Sequence, residues 1–328
     1  MALLEVDQLR TVFPAAVGEF AAVDGVSFSL DQGEVLGLVG ESGSGKSVTA
    51  FSLMRLVSPP GDIAGGSIRF DGQELLALDD RAMRRIRGRQ MSMIFQEPLS
   101  SLNPLHSIGR QVMEPLFLHT DLSRAEARKR ALAMLDRVCI PDASRRFDDY
   151  PHQLSGGLRQ RVMIAIALVC EPKLLIADEP TTALDVTIQA QILDLLRDLQ
   201  SRLGMAILII THDLGVIAEI ADEVVVMYAG KIVETAPVRD LFGDPQHPYT
   251  IGLLGSIPRL GEYRERLSTI EGTVPSPSNQ PKGCRFSPRC PFADRRCREE
   301  PPPLLEITPG HHAACWKAPI ELNVGVAA

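Results

Sequence analysis

The segment Gly40-Glu41-Ser42-Gly43-Ser44-Gly45-Lys46-Ser47 stands between a short apolar run, Val35–Val39, and a stretch free of proline and glycine, Val48–Leu56. No other feature of the chain limits its fold so tightly. An apolar strand, a glycine loop and a helix in immediate succession are the opening unit of an α/β sheet, and each residue type answers one part of a polyphosphate. The glycines free successive backbone N–H groups to curl round phosphate oxygens at a helix N-terminus. Lys46 brings a point charge to the outer phosphates, and the Ser47 hydroxyl can ligate Mg²⁺. Gly40 to Ser47, with Val48 following, are therefore the expected residues for binding a nucleoside triphosphate.

With 328 residues and 45% hydrophobic content the chain can hold one large α/β domain and a smaller appendage. A net charge of −7 argues against nucleic acid as the main partner, since phosphate-backbone binding needs a strong basic patch. Basic runs at Arg81–Arg89 and Arg124–Arg130 read as solvated helix faces. The longest apolar run, Val162–Cys170, has nine residues, well short of the roughly 18 to 20 that cross a bilayer. The acidic N-terminal residues Glu5 and Asp7 do not suit a secretory signal. A cytosolic protein without a membrane span or signal peptide is expected.

Along the chain, short β-branched runs alternate with helical stretches, the pattern of a largely parallel sheet flanked by helices. Strands are expected at Val35–Val39, Met91–Phe95, Leu174–Ala177, Ala206–Ile210 and Glu223–Met227. Amphipathic helical sequence from Glu97 to Tyr150 reads as a helical insert. Beyond Phe242 the composition shifts: ten of the 24 prolines lie after residue 270, and four of the six cysteines lie between 284 and 315. That predicts a small, loop-rich C-terminal appendage.

The run Leu174–Pro180 is an apolar strand ending in two carboxylates, which places Asp178 and Glu179 at the ligand-binding edge of an α/β sheet. Asp178 suits Mg²⁺, and Glu179 suits polarisation of an attacking water. Leu154-Ser155-Gly156-Gly157-Leu158-Arg159-Gln160 sets a serine and two glycines at the start of a second helix, again fit for phosphate. One chain holds one triphosphate in its first loop, so this second helix end is economically explained as capping the nucleotide of another subunit.

Gly40–Ser47, Gln96, Leu154–Gln160, Leu174–Glu179, Ala183-Leu184-Asp185 and His212, in this order and spacing, resemble the nucleotide-binding subunit of an ATP-binding-cassette (ABC) transporter over roughly residues 3 to 240. The resemblance implies a P-loop NTPase cassette with a mostly parallel core sheet, ATP hydrolysis, and head-to-tail pairing of two cassettes. Ser155, Gly156, Gly157 and Gln160 would then act in trans on the partner's ATP. It implies Ser47, Gln96 and Asp178 at Mg²⁺, with Gln96 also linking to the membrane subunits. Glu179 and His212 become the catalytic pair, and an aromatic residue stacks on adenine, with Phe13 preferred over Phe20.

Phe95–Pro104, Tyr150–Gln153 and Pro245–Thr250 narrow the resemblance to the ATPases of dipeptide and oligopeptide importers. That implies residues 1–243 as the cassette, with a helical subdomain near 97–165, and 244–328 as an importer-type C-terminal domain. It also implies a second, unlike cassette, two transmembrane permease subunits and an extracytoplasmic binding protein as partners, at the cytoplasmic face of the inner membrane. Cassette ATPases acting on ribosomes or DNA typically carry two cassettes or a long coiled coil; here only 106 residues separate Ser47 from Leu154.

Cys284, Cys290, Cys297 and Cys315 are more consistent with metal binding than with disulfides in a cytosolic chain, and their spacing leaves the metal undecided. The importer resemblance implies a [4Fe-4S] cluster, with zinc as the alternative. His311 and His312 are expected to be solvated neighbours, with a role as substitute ligands as the alternative. Cys139 and Cys170 are expected to be buried core residues.

Overall fold

A computed structural model of the chain describes residues 2–15, 18–96, 101–182, 185–256, 270–276 and 279–320. Glu97–Ser100, within one of the importer-like runs, and Ala183-Leu184 lie outside the described residues. The chain forms two compact units that interleave along the sequence. One comprises Met1–Leu3, Leu30–Glu34 and Glu74–Ile210; the other comprises Leu4–Ser29, Val35–Gln73 and Thr211–Ala328.

In the first unit, Leu174–Asp178 pairs in parallel with Met91–Ile94 on one edge and with the strand beginning at Ala206 on the other, in register Leu174↔Ala206 through Asp178↔Ile210. Every residue of Met91–Ile94 and Leu174–Asp178 is buried. Both faces are covered, which is why Leu174–Ala177 reads as a continuous apolar run without alternation. The expected insert is helical: Ile108–His119, Arg124–Arg137 and Gly156–Leu168 pack on one another, and Gly156–Leu168 lies against Met91–Ile94.

Arg124–Arg137 begins with a reciprocal cap. Ser123 Oγ accepts from the Glu126 N–H at 3.4 Å, and the Glu126 carboxylate accepts from the Ser123 N–H at 2.8 Å. The helix buries Ala127, Ala131, Met134 and Leu135 at helical spacing, leaving Arg124 and Arg128 exposed. Arg81, Arg84, Arg85 and Arg89 of the other basic run are also exposed, as expected of solvated faces, whereas Arg130 is half-buried and pairs with Glu171 at 3.4 Å.

The second unit holds an antiparallel sheet in the order Glu19–Leu30, Leu4–Pro14, Asp62–Phe70. The sequence pattern marks no strand here. Register shifts between Asp7 and Thr11 break the two-residue alternation that would have shown one. In the same unit Val35–Val39 runs parallel to Glu223–Tyr228, which pairs antiparallel with Lys231–Pro237. The C-terminal segment continues that sheet: His311–Ala313 pairs with Lys231–Pro237, and Leu305–Thr308 pairs with His311–Ala313. The tail expected to be loop-rich thus contributes two strands.

Two cysteine expectations fail. Cys139 is exposed, because the helix ends at Arg137 and a left-handed backbone at Cys139 (φ 57°) turns its side chain outward while Ile140 takes the buried place. Cys170 is half-buried rather than in the core.

Candidate functional site

Val35–Val39 is wholly buried and delivers the chain to Gly40 at φ 152°. A Cβ at Gly40 would lie 2.2 Å from the Met227 carbonyl, and one at Gly45 (φ 103°) would lie 2.5 Å from that of Ala22. These two positions exclude any other residue, and the tight path they allow starts the helix Lys46–Leu53 directly. Lys46 is 6% exposed. Its ammonium donates to the carbonyls of Gly40 at 2.7 Å and Glu41 at 3.0 Å and to Ser44 Oγ at 3.4 Å, so the charge sits inside its own loop. Ser47 and Val48 follow on the helix, and Thr49 Oγ1 closes the first turn by donating to the Gly45 carbonyl at 3.0 Å.

Beside this loop is a cavity of about 510 Å³, bordered by Ser42, Gly43, Gly45 and Val48. Phe13 and Phe20 both line it, with ring centroids 5.7 Å apart and planes 20° apart. The two aromatics form one stacked wall. Val274, Pro275, Ser276 and Gln280 of the C-terminal segment line the same cavity, a contribution that no local motif announces. His212 is exposed in this unit, just before the helix Leu214–Ile220 that Asp213 caps.

In the first unit the strand ends with Asp178, 2% exposed, and turns at Glu179, whose φ of 48° places a non-glycine residue in the left-handed region. The Glu179 N–H is held by the Ile210 carbonyl at 2.8 Å. One oxygen of its carboxylate accepts from Gln96 Nε2 at 2.9 Å and from Thr182 Oγ1 at 2.8 Å. Gln96 and Glu179, 83 residues apart in sequence, are thus brought together. Thr182 was not singled out from the sequence, although its place three residues after Glu179 is the available signal.

Ser155 caps the helix Gly156–Leu168, its Oγ accepting from the Leu158 N–H at 3.4 Å. Gly156 faces open space, whereas a Cβ at Gly157 would come within 3.0 Å of Ile188. Gln160 is different: it is 2% exposed, and its Nε2 donates to the Pro180 carbonyl at 2.6 Å. It ties this helix to the Asp178–Pro180 turn within the chain. Asp185 caps the helix Val186–Leu203 by accepting from the Ile188 N–H at 2.9 Å.

Burial pushes the Cys284 thiol up to about 11, with charge on the other three cysteines adding to the shift. Burial also raises the thiols of Cys290 and Cys315. The Cys284 N–H donates to the Cys297 carbonyl at 2.8 Å. Among the described residues, however, no group of three or more His, Cys, Asp or Glu side chains is arranged to hold a metal ion. His311 is not a solvated neighbour: it is 2% exposed, with Nε2 2.8 Å from the Glu234 carboxylate. No helix among the described residues is long and apolar enough to cross a membrane.

Residues 23–182 match the family described as ABC transporter, and residues 233–297 match the family described as oligopeptide/dipeptide transporter, C-terminal region. A peptide import ATP-binding protein of Brucella abortus is 54% identical over 313 residues, covering 95% of this chain and 94% of the relative. Another, of Brucella melitensis, is 54% identical over 325 residues, covering 95% and 96%. Among solved structures, a dimeric ATP-binding cassette in a post-hydrolysis state bound to ADP and Pi aligns with a TM-score of 0.65 at 28% identity, over 72% of this chain and 99% of that one. The cbiO1 protein of Clostridium perfringens, part of an ABC transporter complex, aligns with a TM-score of 0.64 at 29% identity, over 74% and 91%.

Proposed function

Because this chain belongs to the ABC transporter family, in the branch that carries the oligopeptide/dipeptide C-terminal region, we propose that it is the ATP-hydrolysing subunit of an importer that takes up dipeptides or oligopeptides across the cytoplasmic membrane. One observation carries the reading: a complete phosphate loop, Gly40–Ser47, and an importer-type tail occur in one chain that matches a peptide import ATP-binding protein along 95% of its length.

In this reading residues 1–243 are the cassette and 244–328 the importer-type domain. Gly40–Ser47 and Val48 bind ATP, and Phe13, which lines the cavity together with Phe20, stacks on the adenine. Mg²⁺, when bound, offsets charge developing on the phosphates. Ser47, Gln96 and Asp178 are its proposed holders, the hard oxygen donors that this ion takes. Glu179 accepts a proton from the attacking water, and His212 donates to the γ-phosphate. The strained backbone and two hydrogen bonds at Glu179 support its role, because they hold the carboxylate in one orientation.

Ser155, Gly156 and Gly157 serve the ATP of a second cassette, which we take to be an unlike paralogue. The dimeric state of the similar cassette bound to ADP and Pi supports a paired arrangement. Gln160 supports the signature helix from within. Two membrane permeases and an extracytoplasmic binding protein complete the importer, and the subunit works as a peripheral protein on the cytoplasmic face. Nucleic acid is no partner.

The four tail cysteines are the proposed ligands of a [4Fe-4S] cluster, with zinc as the alternative. The soft thiol donor set supports a metal, but the side chains are not preassembled for one, so no step is assigned to it. Iron and sulfide analysis of anaerobically prepared protein distinguishes the three states: about four of each per chain for the cluster, zinc alone, or neither.

Glu179→Gln tests the catalytic assignment. It keeps the shape and removes the base, so turnover should fall by about 10² to 10⁴-fold while ATP binding survives. Hydrolysis at the parent rate would overturn the role.

A further inference from the structure

Glu41, the second residue of the phosphate loop, is gripped from the C-terminal segment at both ends. Its backbone N–H donates to Tyr249 Oη at 2.7 Å. Its carboxylate accepts two bonds from one guanidinium, from Arg289 Nη1 at 2.6 Å and Nη2 at 3.0 Å. Its carbonyl accepts from Lys46 Nζ at 3.0 Å. One residue thus joins the phosphate-binding lysine to side chains 208 and 248 positions away.

The grip is rigid. The Arg289 side chain is 4% exposed. Its remaining donors reach the Glu271 carbonyl from Nε at 3.0 Å, the Ile270 carbonyl from Nη2 at 3.1 Å and Tyr228 Oη from Nη1 at 3.4 Å, so all five N–H groups of the fork are engaged. Tyr249 is fully buried, its ring edge-on to Tyr228 at 4.7 Å. Its N–H is fixed by His247 Nδ1 at 3.1 Å, and the His247 N–H by Glu234 at 3.0 Å.

Both halves of the grip bear on a bound polyphosphate. A carboxylate in a phosphate loop repels the ligand unless a cation neutralises it, and loop N–H groups bind phosphate only if the backbone stays curled. We propose that Arg289, assisted by Tyr249, is a positioning residue of the nucleotide site, neutralising Glu41 and fixing the curvature of Gly40–Ser47 from the C-terminal domain. The proposal rests on the reading of Gly40–Ser47 as the nucleotide loop. The Gln246-His247-Pro248-Tyr249 motif then acts as the strut that carries Tyr249 to the loop.

The test measures MgATP binding by calorimetry on the full chain, and KM and kcat in the assembled transporter. Arg289→Ala should raise Kd and KM for ATP about tenfold and leave kcat within about threefold, the signature of lost uniform binding. Arg289→Lys should fall between, because it keeps the charge and loses the fork. Adding Glu41→Gln to Arg289→Ala should recover affinity, since it removes the uncompensated charge; a merely structural arginine would show no such rescue. Should Arg289→Ala not fold, Tyr249→Phe, which deletes only the acceptor for the Glu41 N–H, should still weaken ATP binding severalfold. Lys46→Ala separates the two readings. If it abolishes binding while the Arg289 and Tyr249 variants bind ATP like the parent, the positioning role is wrong; if Lys46→Ala itself binds normally, the loop reading has failed.

Discussion

Glu234→Ala should detach the importer-type segment from the sheet that carries it. Glu234 is completely buried on Lys231–Pro237. Its carboxylate accepts from the N–H of Gln246 at 2.5 Å and of His247 at 3.0 Å, and meets His311 Nε2 at 2.8 Å. Alanine leaves three buried polar groups without their partner, at about 1–3 kcal/mol each. Water entering the vacated polar space recovers part of this, so the net loss should be about 3–5 kcal/mol. Against a total stability of about 5–15 kcal/mol that is a large fraction.

Trp316, the sole tryptophan, reports the event locally. Its Nε1 donates to the Glu300 carbonyl at 3.0 Å, and the Arg296 guanidinium lies 3.5 Å from the ring centroid. In a denaturant titration, the variant's Trp316 emission should change well before the far-ultraviolet circular dichroism of the rest; in the parent the two should coincide more closely. Glu234→Gln, which keeps the shape and one carbonyl oxygen, should lose about half as much. A loss below about 1 kcal/mol in Glu234→Ala, with the Trp316 transition unmoved, would refute the idea that this carboxylate anchors the segment.

Two further outcomes follow from burial. The His247 imidazole, pulled down to about 3 by desolvation, is neutral in the folded chain, whereas the unfolded chain takes up a proton near pH 6.5. Between these values the unfolded state binds more protons, so stability should fall as pH drops from about 6.5 toward 3, by up to about 1.4 kcal/mol per pH unit. His247→Asn, whose amide oxygen can accept the Tyr249 N–H, should flatten that acid limb in unfolding measured across this range; identical slopes would refute the desolvation argument. Alkylation with iodoacetamide at about pH 8 should label exposed Cys139 well before Cys284, whose thiol is half-buried and pushed up to about 11. Peptide mapping of a time course showing Cys284 labelled first would contradict both the placement and the shift.

Much of the site was legible because its signals are local. Gly40–Ser47 specifies its own backbone path, Ser155 and Asp185 cap the helices they precede, and the doubly covered strands announce themselves as unbroken apolar runs. Glu179 was legible as the acid ending such a run. Its left-handed backbone and its Thr182 partner were not, since they depend on how the chain leaves the sheet. The antiparallel sheet of Leu4–Pro14 was missed because register shifts blur the two-residue period.

By itself the amino-acid order determined an α/β sheet and the identity of its phosphate loop, because those depend on backbone freedom and periodicity over a few residues. Tertiary structure alone decided which distant side chains serve that loop. Arg289 reaches Glu41 across 248 positions, His311 leaves solvent to meet Glu234, and Cys139 turns outward at the end of its helix. Such partnerships arise when the folded sheet brings remote strands and loops within hydrogen-bond reach, and a linear pattern carries no record of that distance.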